Sequence, residues 1–266
     1  MIVRLWHISM LTILLLAIGA MGCAPDQPDL DTQIKTIKDQ ARSAAGEDWM
    51  TLMDSLIKLD PNDAEPYYRK AVRQFRNGDL IEGVQNLETA ATLDPFQYTN
   101  YLGFIYLLYL RDYDKAQEVF ELAVRKGYKE DIIIAGSAYM RLGIVHYKKG
   151  NYQKAVAALT KDVQEFGEEN VYNYTFVYRG MAKVKLKDTK GALADFDKAI
   201  ELWDKCPEAY YQKAMLLNDI GKKADACKIV QKALLNKGFI WANPHRAYID
   251  QLYEIDLERL FDRTCR

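Results

Sequence analysis

Four times along this chain a small residue is followed four positions later by a large apolar one and three further on by another small one: Gly83/Leu87/Ala90, Ala116/Phe120/Ala123, Ala192/Phe196/Ala199 and Ala226/Val230/Ala233. Offsets of four and seven place all three side chains on one helical face. Ala155/Leu159/Asp162 repeats the pattern with a polar intruder. The first members, at 83, 116, 155, 192 and 226, lie 33 to 39 residues apart. A period of that size means stacked supersecondary units. Each unit reads as two helices, separated by breaks at Asn77-Gly78-Asp79, Lys149-Gly150-Asn151 and Ile220-Gly221-Lys222, where glycine permits the tight turn. Leu59-Asp60-Pro61 recurs as Leu93-Asp94-Pro95. Proline there stops a second helix, because it lacks the amide donor and disfavours helix at the residue before it.

Composition narrows the function. With 36 basic against 37 acidic residues in 266, no net field draws the chain onto nucleic acid. Four cysteines without a C-x-x-C pair argue against a disulfide scaffold or a zinc site, and neither a metal nor another cofactor is expected. His146 falls at a core position of its helix, His7 lies in an N-terminal stretch expected to be removed, and His245 has no evident partner. No H-E-x-x-H, G-x-S-x-G, phosphate-loop or calcium-loop pattern occurs. The carboxylates recur at positions expected to face solvent. The chain is therefore expected not to be an enzyme.

The units resemble the tetratricopeptide repeat, a family with a 34-residue consensus. Tyr67, Ala71, Gly83, Ala90 and Pro95 fill its signature places in one unit. Tyr139, Gly143 and Ala155, then Phe176, Gly180, Ala192 and Ala199, then Tyr210, Ala214, Ala226 and Ala233 fill them in three others. The resemblance implies an all-α, right-handed superhelical solenoid of antiparallel helix pairs. Five repeats are expected at 64–97, 98–130, 136–169, 173–206 and 207–240, after a degenerate helix pair at 32–63. The first-helix register of the repeat at 98–130 stays open between Leu102-Gly103 and Phe104-Ile105. Asp162 either bonds a nearby tyrosine or turns outward. In 241–266, Ala247, Ile249, Leu252, Tyr253, Ile255, Leu257 and Leu260 recur at helical intervals, as in a helix capping the apolar edge of an array.

The start of the chain reads as an export signal. Arg4 precedes Leu5–Gly22, which carries no charged side chain apart from the weak base His7. Small residues lead into Cys23, and the polar stretch Ala24-Pro25-Asp26 follows. Gly22-Cys23 resembles the lipobox of bacterial lipoproteins, which implies cleavage after residue 22, acylation of Cys23 and a short tether over 23–31. The alternative is an uncleaved anchor, since 18 helical residues span roughly 27 Å, close to the bilayer core. Alanine at 24, rather than aspartate, favours the outer membrane by the same resemblance.

In the repeat family, inner positions of the first helices line a partner groove. Tyr68, Met140, Val177 and Tyr211 occupy one such row and Val72, Ile144, Met181 and Met215 another. Phe75, Tyr147 and Tyr174 add to it. The lysine and asparagine with which some members clamp a C-terminal carboxylate are absent from these rows. The lining is aromatic, aliphatic and adaptable through methionine. The implied function is a non-catalytic, lipid-anchored adaptor holding an envelope protein or peptide, with a small-ligand or glycan binder as the alternative. Cys227 faces the following helix in the repeat register. If the cap runs antiparallel to its neighbour, Cys265 lies level with it, and an oxidising compartment permits a 227–265 bond.

Overall fold

The computed structural model describes residues 29–128, 136–240 and 250–266. The signal segment, Cys23 and most of the tether lie outside the described residues, as do His245, Ala247 and Ile249. The chain forms two compact units, residues 1–61 and 62–266.

In the first unit α1 (Leu30–Ala41) and α2 (Gly46–Leu59) form one antiparallel pair. The Asp29 carboxylate caps α1 by accepting from the Thr32 amide. Helix α1 thus begins inside the stretch assigned to the tether. The pair closes over Ala41, Met53 and Leu56, with Ile34, Ile37, Trp49 and Leu52 around them.

The second unit is an all-α solenoid of stacked helix pairs. They are α3 (Ala64–Asn77) with α4 (Leu80–Leu93), α5 (Pro95–Phe104) with α6 (Tyr113–Lys126), and α7 (Ala138–Lys148) with α8 (Tyr152–Phe166). Then come α9 (Asn173–Lys185) with α10 (Thr189–Leu202) and α11 (Pro207–Asp219) with α12 (Lys223–Leu235). Helix α13 (Glu254–Cys265) packs on α12. The small-large-small stripes carry the junctions: Leu87, Phe120, Leu159, Phe196 and Val230 are fully buried, with alanine or glycine on either side except at Leu159, where Asp162 takes the second small place. Gly78, Gly150 and Gly221 turn the hairpins at φ of +91°, +76° and +80°, where a Cβ would be strained.

The open register of the second repeat is settled by Gly103, which lies against the Phe120 ring as Gly180 lies against Phe196. Its first helix starts at Pro95, because Asp94 ends α4 and also caps α5 through the Gln97 amide. It then widens into a π-helical turn, Ile105–Leu110, closed by Arg111 in the left-handed region at φ 52°. A Cβ on Gly103 would stand 2.7 Å from two atoms of the Phe120 ring. Gly103→Val is therefore expected to lower stability by ~1–3 kcal/mol through overpacking. Gly238→Ala, with open space around it, should be nearly neutral; urea unfolding compares the two.

The C-terminal expectation needs correction. The last helix begins at Glu254, and Asp250–Tyr253 precede it in non-helical conformation. The Tyr253 amide donates to the Asp256 carboxylate, which sets the helix start. Cys227 and Cys265 are disulfide-bonded, with Cα atoms 5.0 Å apart, and Cys206 is a buried free thiol.

Candidate partner-binding site

The first helices carry the inner rows, and their exposure changes along the stack. In the middle the expected lining is closed. Met140, Ile144, Tyr174, Val177 and Met181 are all buried, so they are packing residues rather than an open surface. Helix α9 touches both α7 and α11 directly, so long side chains at these contacts fill the space. Phe75 also leaves the expected lining: its ring sits where a Cβ of Gly83 would be, inside its own hairpin.

At the C-terminal end the rows are half-buried and occupied. Tyr211 and Met215 pack into the cluster formed by Tyr210, Ala214, Leu252, Leu257 and Leu260. Tyr147 lies between Tyr152 and Tyr178, with ring centroids 5.7 Å from each. Burial first, and then the Asp250 carboxylate, push the Tyr147 phenol up to about 12. The neighbouring Lys148 ammonium pairs with Asp250.

The N-terminal end is different. Around the starts of α3 and α5 lies a cleft of about 490 Å³, lined by Asp63, Glu65, Tyr68, Arg69, Asp94 and Tyr98 among others. Tyr68 stacks on Tyr98 at 4.8 Å and meets Tyr101 edge-on at 5.7 Å. Tyr101 stacks on Phe104, Phe104 meets the exposed Tyr109, and the Arg141 guanidinium lies 5.2 Å over the Phe104 ring. Tyr98 is itself buried beneath this ladder, while the half-buried Tyr68, Tyr101 and Phe104 and the exposed Tyr109 present aromatic faces and phenol groups together. Of the expected groove residues, Tyr68 belongs to it and Val72, on the same helix, remains half-buried. Tyr98, Tyr101 and Phe104 escaped the sequence reading. Aligning Gly103 with Gly143 and Gly180 would have placed Phe104 in the same inner row as Val72, Ile144, Met181 and Met215.

The buried carboxylates also depart from expectation. Asp162 is 2% exposed. It accepts hydrogen bonds from the hydroxyls of Ser137 and Thr175, so its partners are hydroxyls of α7's cap and α9, not a tyrosine. Burial raises its pKa, opposed by those two bonds. Asp195 is 3% exposed and accepts from Arg179 at 2.7 and 3.1 Å, with Lys183 Nζ 2.8 Å away. Glu208 is buried beside Cys206, its pKa raised by burial. The available signals were Asp162 in a place held elsewhere by alanine, and Arg179 and Lys183 one turn apart opposite Asp195. His146 is buried, and burial, followed by Lys154 nearby, lowers its pKa. Among the described residues no group of histidine, cysteine and carboxylate side chains could hold a metal, and the polar clusters join helices rather than surround a reacting position.

Sequence profiles of the tetratricopeptide repeat match residues 101–165 and 207–237. Protein CTR9 homolog of Arabidopsis thaliana is 21% identical over 202 residues, covering 73% of this chain and 17% of that protein. The chain thus spans about a sixth of that relative's length. Among solved structures, YrrB, described as a tetratricopeptide-repeat protein with an unusual peptide-binding site, is similar with a TM-score of 0.52 and 21% identity. That match covers 70% of this chain and 92% of YrrB. The Cut9-Hcn1 hetero-tetramer of the APC/C gives a TM-score of 0.60 at 15% identity, covering 88% of this chain and 40% of the other. These likenesses concern the fold.

Proposed function

We propose that this chain, two segments of which match the tetratricopeptide repeat, is a non-catalytic scaffold that holds a protein or peptide partner in the cleft between α3 and α5. The half-buried aromatic ladder Tyr68–Tyr101–Phe104, backed by the buried Tyr98, carries this reading. Stacked tyrosines offer large contact area, a polar tip and little side-chain entropy to lose, the properties of interface anchors. The peptide-binding site named for YrrB and the assembly formed by Cut9 with Hcn1 support a partner of this kind.

The scaffold works from the cell envelope, tethered to the outer membrane through lipid on Cys23. This part of the proposal rests on the order Arg4, apolar stretch, Gly22-Cys23 in the sequence. Cys23→Ala should abolish incorporation of labelled palmitate and leave a precursor longer than the parent. A variant that matures and labels like the parent sinks the anchor.

Capture from detergent-solubilised envelopes tests the scaffold itself. A stoichiometric protein retained by the wild type and lost with a cleft variant is the expected outcome. The cleft volume also falls within the range of small-molecule sites, roughly 300–1,000 Å³. An empty capture together with a glycan or other small ligand that raises the melting midpoint would therefore replace the scaffold by the binder.

A further inference from the structure

A helix that only caps a solenoid need cover no more than the last pair. Here the chain does more. Asp250, four residues ahead of α13, pairs with Lys148 at the end of α7, 102 positions earlier. Two residues on, Leu252 is buried among Tyr210 and Ala214 of α11. The segment Asp250-Gln251-Leu252 therefore links the end of α7, through the Asp250 side chain, to the apolar cluster of α11, through Leu252. It sets a carboxylate beside Lys148 and Tyr147, and an apolar side chain against α11. The Cys227–Cys265 bond ties the far end of the same arm to α12.

We infer that this face, from Lys148 to Tyr210, is a second peptide-binding surface held by a resident ligand, and that its external partner is an extended segment with an acidic residue two places before a leucine. This deepens the scaffold reading and rests on it. A tethered segment acts at about millimolar effective concentration. A free one of equal intrinsic affinity, supplied at about ten micromolar, competes against it at a disadvantage of roughly a hundredfold. The disulfide strengthens the tether. A dithiol reductant loosens it: the S–S bond breaks, two electrons and two protons pass to the sulfurs of Cys227 and Cys265, and the dithiol closes to its own disulfide.

The test uses the full chain and a fluorescein-labelled peptide of residues 250–266 carrying Cys265→Ser. Anisotropy should show the peptide binding at least tenfold more tightly to the dithiothreitol-reduced chain, and to the Cys265→Ser chain, than to the oxidised chain. Asp250→Lys separates recognition from mere structure, because its two placements act in opposite directions. In the peptide it removes the carboxylate that Lys148 needs and should weaken binding at least fivefold. In the Cys265→Ser chain it weakens the resident competitor and should tighten binding of the unaltered peptide at least threefold. Equal binding to oxidised and reduced chains, no binding to any, or a shift of the same sign in both placements overturns the inference. Helix content by circular dichroism checks that each variant is folded. Should the chain capture an envelope protein through the α3–α5 cleft while the peptide binds nowhere, the scaffold stands and this second surface does not.

Discussion

Asp195→Ala is expected to lower the unfolding free energy by about 3–5 kcal/mol, the largest loss of any single change considered for this chain. Asp195 is buried on α10, where it accepts hydrogen bonds from Nε and Nη2 of Arg179 and forms an ion pair with Lys183 across the hairpin. The side chains of Arg179 and Lys183 are themselves only 12% and 18% exposed. Removing the carboxylate leaves two cations desolvated with no anion between them, and water cannot reach both without opening the α9–α10 contact. The Arg179 stack on Phe176, at 5.0 Å, then loses the group that fixes its orientation. Against a typical total of 5–15 kcal/mol, such a loss consumes a large share. For a domain near 200 residues it corresponds to a fall in melting midpoint of roughly 6–20 °C. Asp197→Ala is the control: it removes a partner of Lys213 from a carboxylate that is 59% exposed, and should stay within about 0.5 kcal/mol of the parent. Thermal denaturation followed at 222 nm compares the two. Equal midpoints would mean that Arg179 and Lys183 reach solvent without cost, and that the buried pair contributes nothing.

The largest functional effect is expected from Tyr68→Ala. If the α3–α5 cleft holds the partner, truncating this anchor should weaken capture by ~2 kcal/mol or more, about thirtyfold. Its ring contacts include the stack on Tyr98 and the edge contact with Tyr101, each worth about 0.5–1.5 kcal/mol to the fold. The variant should therefore remain folded while binding is lost. Tyr68→Phe keeps the ring and separates the stacking contribution from that of the phenol group. Normal capture by a folded Tyr68→Ala chain would move the site elsewhere. Tyr147 and Tyr211 do not carry the same expectation, although both share the inner rows with Tyr68. Tyr147 is packed beside Tyr178 and Asp250, and Tyr211 belongs to the cluster closed by Leu252 and α13. Alanine at either should loosen the C-terminal arm before it touches capture through the α3–α5 cleft.

The helix pairs were legible because their cause is local. A small residue at one turn and a large one at the next decide how closely two helices approach, and Ala192/Phe196/Ala199 states that within eight residues. Hairpin breaks at Gly78, Gly150 and Gly221 were legible for the same reason, since a left-handed backbone angle is a property of one residue. The sequence by itself therefore determined the repeat architecture and which helix of each pair faces inward. It also named Tyr68, whose row follows from the resemblance to the repeat family. Asp162 was marked as an intruder, but its hydroxyl partners sit on two other elements, Ser137 before α7 and Thr175 in α9. No period along α8 reports them. Only the tertiary structure decided which parts of the inner face are open. Met140, Ile144, Val177 and Met181 share that face with Tyr68 and Val72, yet contact between neighbouring first helices buries them. The closure at Lys148 depends on a carboxylate 102 residues away. A helical period defines a face but not what covers it, and the cover here comes from long-range contacts that form only once the pairs are stacked.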